Sequence, residues 1–205
     1  MLSSVLQNEA VVEAIEILKS EFLLATWETV YVTLAATLFS IIIGLPLGVL
    51  VVVGEKDGIM PLPKGDLHIL NVIINLLRSV PFLILMILVF PLTRLIVGTV
   101  VGTTASIVPL VIAAAPFVAR LVESSLRELN PNIVEAAQAM GASPFQIITK
   151  VMIPESVPSL ISNMTIAITT ILGYSAMSGI IGGGGLGKIA INYGYYRYKY
   201  LIMIC

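Results

Sequence analysis

The sequence predicts an all-α integral membrane protein, and three observations carry that prediction. The 205-residue chain is 58% hydrophobic and only 11% charged, with a mean hydropathy of +1.03, whereas soluble domains carry about 25% charged residues. Its charges are far apart: 26 uncharged residues separate Glu28 from Glu55, 25 separate Arg94 from Arg120 and 32 separate Glu155 from Lys188. At ~1.5 Å per helical residue each gap exceeds the ~30 Å hydrocarbon core. Backbone polar groups must be satisfied inside lipid, and the alternation of a membrane barrel is absent, which leaves helices.

The elements follow in order. Residues 1–22 form an N-terminal extension in which Val11, Ile15, Leu18 and Phe22 recur at helical spacing while Glu9, Glu13 and Glu16 take another face. Such a pattern suits an amphipathic helix on the membrane surface or a prolongation of the first spanning helix. With three acids and no basic start, the extension does not read as an export signal. The expected spans are Thr26–Val53, Ile69–Pro91, Thr103–Val122 and Ser156–Ile181. Only Arg78 interrupts the second, and it reads as an anchor near an interface rather than as a ligand in a pore. Leu201–Cys205 looks like the start of a fifth apolar run, which gives four full spans plus a fifth truncated after Cys205. Prolines 46, 81, 109, 116 and 158 are expected to kink helices. Small and hydroxylated residues, Ala113–Ala115 in the third span and Ser162 through Ser175 in the fourth, allow close helix approach. They suit a pathway and ordinary bundle packing equally.

Several function classes drop out. A net charge of −1 offers no basic patch for nucleic acid. One cysteine, Cys205, builds neither a disulfide framework nor a cysteine metal site. His68, the single histidine, has Asp66 beside it and reads as an interface residue, so no metal site is expected. Gly182-x-Gly184-x-x-Gly187 spells a dinucleotide fingerprint, but no strand precedes it and no acid follows at the required distance. Asn163-Met164-Thr165 spells a glycosylation sequon but falls within a span. There is no Walker A sequence and no nucleophile–base pair, so no catalytic residue is expected. Basic residues split six to five between the two sides, which leaves orientation undecided by charge.

The loop at 129–154 is the most informative segment. Asn130 is a good N-cap with Pro131 at the first helical position, Gly141 is placed to end that helix, and Ser143-Pro144 repeats the start signal before Pro154 arrives as the next breaker. Ile133, Ala136, Ala137 and Met140 share one face; Phe145, Ile148 and Met152 line up in the second helix. A short amphipathic helix outside the membrane suits a groove on a partner or its own bundle.

Glu135-Ala136-Ala137, then Gly141, then Val151-Met152-Ile153-Pro154 resembles the EAA loop of ABC importer permeases. The family has Ile and Leu where this chain has Val151 and Ile153; both changes stay apolar. Residues 75–82, 91–99, 173–179 and Gly184-Gly185-Leu186-Gly187 with Tyr193-Gly194-Tyr195-Tyr196 resemble, within that family, the permeases for methionine, and the likeness runs from about residue 26 to 205. The acidic extension and the abrupt end depart from it. The resemblance implies a type I ABC importer permease helical bundle over 23–205, paired as a homodimer in a bacterial inner membrane. It further implies two cytoplasmic ABC ATPase subunits, which hold ATP and Mg so that this chain needs no cofactor, and an external substrate-binding protein. The loop at 129–154 is then the cytoplasmic coupling loop, with Glu135, Ala136, Ala137, Met140, Gly141, Phe145 and Pro154 meeting the ATPase, and the N-terminus lies outside.

The implied function is import of D- or L-methionine or a similar small amino acid by alternating access. Other small amino acids or short peptides fit the same family. Met177 is the gate candidate, a flexible thioether among Tyr174, Ser175, Ala176 and Ser178; packing is the plainer role for it. An ATP-independent channel or secondary transporter is the rival class, but the spans lack the midplane ionisable residues such proteins use.

Overall fold

The computed structural model describes residues 2–199 and Ile202, with the side chains of Val12 and of residues from 19 onward. All regular structure among them is helical. Helix α1, Leu2–Val53, is a single 52-residue helix, so the extension and the first span share one unbroken axis. Its segment Lys19–Val53 is long and apolar enough to cross a membrane, as are Thr103–Arg127 and Val157–Ile181. The fifth run, Leu201–Cys205, lies outside the described residues except for Ile202.

The second span bends sharply at Pro81, one of the prolines expected to kink a helix. Helix α2, Lys64–Ser79, and α3, Phe82–Leu88, meet at 110°. The cause is local. The ring of Pro81 disfavours helical geometry in the residue before it, and Val80 is extended at φ −79°, ψ 128°. Counting the bent pair as one span gives four candidates. Helix α4, Phe90–Val97, follows and ends on Gly98 at φ +83°, a left-handed C-terminal cap. Pro46 and Pro116, expected to kink, lie inside α1 and inside α5, Ile107–Arg127. The third span thus runs five residues beyond the expected Val122. Helix α6 is Pro131–Ala139.

Pro154 is not a breaker. After α7, Pro144–Ile147, a π-helical turn at Ile148–Met152 leads into α8, Ile153–Glu155, and then α9, Val157–Ser178. A proline removes one i→i−4 bond. Here the wider turn takes up the slack, with the Ile153 N–H donating to the Ile148 carbonyl. After α9, a 3₁₀ turn at Gly179–Ile181 and a glycine-rich segment lead to α10, Leu186–Ile189, which continues as a π-helix over Ala190–Tyr196.

The chain forms two compact units. One comprises Thr37–Leu85 and Val111–Thr170, the other Met1–Ala36, Met86–Leu110 and Ile171–Cys205. In the first, Val53, Val122, Leu126, Ala137, Ile147 and Met152 belong to one buried cluster. There α1 and α5 touch backbone to backbone: a Cβ on Gly48 would stand 2.5 Å from the Ala119 carbonyl oxygen, and one on Gly44 2.8 Å from that of Ala115. In lipid, where apolar surface gains nothing by leaving solvent, such small-residue contact is what holds helices together. In the second unit, Ala25, Ile189 and Ile202 make a smaller core, with Leu186 and Tyr193 against it.

Candidate functional site

The 129–154 segment folds by its own local signals. The Asn130 side chain accepts from the Asn132 N–H at 3.0 Å, with Pro131 at the first helical position. Gly141 closes the helix at φ +77°, and the Ala142 N–H donates to the Ala137 carbonyl at 3.1 Å. This is the six-to-one bond of a Schellman end. Ser143 and Gln146 then form a reciprocal capping box at the start of α7, with bonds of 3.4 and 2.9 Å. Each cap is worth about 1 kcal/mol, enough to fix short helices that propensity alone leaves unformed.

Burial then sorts the expected site residues. Ala137 is buried and anchors α6 to the core that also takes in Ile147 and Met152. Glu135, Ala136, Gly141 and Pro154 are exposed. So are two large apolar side chains, Met140 at 81% and Phe145 at 75%. The expected face of Ile133, Ala136, Ala137 and Met140 is therefore divided: Ala137, with half-buried Val134, points inward, and the others outward. Beside the loop lies a cavity of about 600 Å3 lined by residues that include Glu55, Arg127, Val134, Glu135, Gln138 and Met152.

An unbroken chain of charged and amide groups starts at that cavity. Arg127 grips Glu55 with both terminal nitrogens, at 2.6 and 3.2 Å, and reaches Glu123 Oε1 with Nε and Nη2 at 3.0 and 2.9 Å. The other oxygen of Glu123 pairs with Arg120 Nη1. Arg120 Nη2 then donates to Asn71 at 2.7 Å and Asn75 at 3.0 Å, both on α2. Glu123 is 12% exposed, against 45% for Arg127. Alongside, Ser159 donates to Glu128 at 2.6 Å, and Asn163 donates to Ser125 Oγ and the Leu121 carbonyl, which ties α9 to α5.

The expected gate residues separate too. Met177 is 43% exposed and Tyr174 half-buried, while Ser175 and Ser178 are buried, with hydroxyls donating to the carbonyls of Leu172 and Ser175. Next to them the glycines of the segment 179–187 are packed without room for an added methyl group. A Cβ at Gly179 would lie 2.5 Å from the Gly187 backbone, and one at Gly183 2.6 Å from Ser178 Oγ. The segment is fastened from α1: Glu28 accepts the Gly185 N–H at 2.7 Å and the Thr103 hydroxyl at 2.9 Å, while Thr29 Oγ1 accepts the Leu186 N–H at 2.9 Å.

These features find their counterpart among known proteins. Residues 67–203 match the family model described as binding-protein-dependent transport system inner membrane component. This chain belongs to that family. Among relatives of this permease-family chain, the probable D-methionine transport system permease protein MetI of Vibrio cholerae is 50% identical over 190 residues, 91% of this chain and 83% of the relative. That of Pasteurella multocida is 51% identical over 174 residues, 85% and 80% of the two chains. A solved structure described as an inward facing conformation of the MetNI methionine ABC transporter superposes with a TM-score of 0.86 at 41% identity, covering 92% of this chain and 94% of that one.

Sequence reasoning missed three features of this family member: the Glu28 clamp, the Arg120–Arg127 chain and the Gly44/Gly48 contact. A signal was present for the first two. Glu28 and Arg120 sit at the ends of long apolar runs, where a charge without a nearby partner is costly.

Proposed function

We propose that this chain is the membrane-embedded permease subunit of an ATP-driven importer for D- or L-methionine or a similar small amino acid. Two copies pair around a pathway, above two cytoplasmic ABC ATPases and beneath an external binding protein, and transport proceeds by alternating access. ATP and Mg belong to the ATPases. The observation that carries this reading is the 129–154 loop: two capped short helices, seated on the core by Ala137 and Ile147, that leave Met140 and Phe145 exposed. A rigid loop with bare apolar side chains is built to enter a partner's groove. The half-identical methionine permeases supply the substrate class.

In this reading residues 1–22 extend the first span outward, 23–205 form the transmembrane domain and 129–154 is the cytoplasmic coupling loop, so the N-terminus is outside. Spans are Lys19–Val53, the bent pair α2–α3, Thr103–Arg127 and Val157–Ile181. Glu135, Ala136, Met140, Gly141, Phe145 and Pro154 meet the ATPase, Ala137 seats α6 on the core, and Met177 with Tyr174 forms the gate that Ser175 and Ser178 back.

The test is co-purification of the ATPase from detergent-solubilised membranes. The native chain is expected to bring down an ATPase; Glu135→Lys and Gly141→Pro are expected to lose it, because proline cannot adopt φ +77°. Absence of any ATPase with the native chain would put an ATP-independent channel or secondary transporter ahead.

A further inference from the structure

We infer that Glu55, Arg127, Glu123 and Arg120 are positioning residues for transport: together they form a rigid joint that carries displacement of the 129–154 loop to helix α2. The inference rests on the importer reading above, in which that loop is where ATP-driven motion enters.

Sequence position comes first. Arg127 is the last residue of α5 and stands four residues before Pro131, the first of α6 (131 − 127 = 4). Whatever shifts the loop acts on Arg127 almost at once. From there the chain branches to two separate backbone segments. One branch goes to Glu55, in the turn after α1. That turn is stiff: the Met60 N–H donates to the Val53 carbonyl and the Leu62 N–H to that of Gly54, each at 3.0 Å, and a Cβ on Gly58 would run into the Val53 carbonyl. It leads directly to Lys64, where α2 begins. The other branch goes through Glu123 and Arg120 to Asn71 and Asn75, about two and three turns further along α2. Helix α2 is thus held at its entrance and along its middle by groups that all return to α5, and it ends at the 110° bend.

Adhesion alone does not call for charges here. The inward face of α2 already has an apolar seat, with Ile74 buried against Val51 and Ala119. An ion pair as exposed as Arg127–Glu55 adds little stability, whereas a guanidinium fork fixes direction as well as distance. Arg127 holds Glu55 bidentately, and each link from there to Arg120 shares its partner with the next. Groups so linked cannot slide past one another as apolar side chains do, so a push at one end arrives at the other.

The test uses the assembled importer in proteoliposomes, with its ATPase and binding protein, and reads labelled L-methionine moved per ATP hydrolysed. Arg127→Gln and Glu55→Gln are each expected to keep ATPase co-purification and ATP turnover within about twofold of native while the transport ratio falls about tenfold, the range of an ordinary coupling energy. The double variant should lose no more than either single one, since both break the same link. If Arg127→Gln fails to accumulate, Asn71→Ala with Asn75→Ala, which removes no charge and leaves the loop untouched, is expected to lower the ratio to the same extent. Parallel loss of assembly, turnover and transport, additive losses in the double variant, or an unchanged ratio in the asparagine pair each overturns the joint. A native complex that captures no ATPase and moves no methionine overturns the importer reading instead.

Discussion

Two acidic residues of this chain hold distant segments in place, and they do so by opposite means. Glu28 takes its hydrogen bonds from neutral donors, the Thr103 hydroxyl and a backbone N–H of a segment whose glycines leave no room for a methyl group. Glu55 takes its bonds from a guanidinium, and both partners remain nearly half exposed. Where backbones already touch, a carboxylate can be satisfied by the groups in front of it, and geometry does the rest. Where side chains are long and half-solvated, position has to come from charge, with its directional and bidentate bonds. The first arrangement is intolerant of any added atom; the second tolerates volume but not loss of sign.

The comparison can be broken most forcefully at the glycines. Gly187→Val would drive a branched side chain into the Ala176 backbone. A loss of about 3 kcal/mol is expected, seen as a collapse in detergent-stable yield and melting temperature; a variant that melts like the native chain would show that the segment has slack. Next comes Glu28. Removing it as Glu28→Ala leaves the Gly185 N–H and Thr103 hydroxyl without their acceptor, at about 2 kcal/mol. Glu28→Gln keeps one acceptor oxygen and should fall midway in the same melt; native-like melts for both variants would mean that the carboxylate does not carry the clamp. Gly141→Ala isolates conformation from space, because nothing lies within 4 Å of the new methyl group while φ is +77°. The expected cost is about 1 kcal/mol, measured as lower melting with ATPase capture retained at saturating partner. The smallest effect belongs to Arg127→Gln. An ion pair this exposed contributes under about 1 kcal/mol to stability, so its melt should barely move even though transport coupling drops. A large melting shift there would make the ion chain a stabilising device like the glycine segment and erase the contrast.

How far the sequence could be read depended on the distance between signal and partner. The caps of α6 and α7 were legible because Asn130, Pro131, Gly141, Ser143 and Pro144 act within four residues of themselves, and each stands where the sequence placed it. The long apolar runs marked α1, α5 and α9 for the same reason. The bend at Val80–Pro81 was legible for the same reason, since the proline acts on the residue before it; only its size, 110°, was not. Pro154 was misread because a π turn can absorb a proline, and nothing in the letters tells a break from an accommodation. The clamp joins Glu28 to Gly185 across 157 positions and the joint links Arg127 to Glu55 across 72. Neither pairing has a periodicity to betray it, so those charges read only as punctuation. Along α9 the sequence could name Met177 and its neighbours but not which of them turned inward.

The π turn at Ile148–Met152 also sets how this region can change over time. A π turn is in effect one residue too many in an α-helix. Deleting a single residue there would let the helix close into regular α geometry at little backbone cost. The wider turn already takes up the extra residue, so α6 and α7 would keep nearly their present aim relative to the start of α9. A second deletion would find no such slack and would turn them by about 100° around the axis, since each α-helical residue advances the helix by that angle. The π turn is therefore a one-residue shock absorber: the loop's aim survives the loss of one residue here, and not of two.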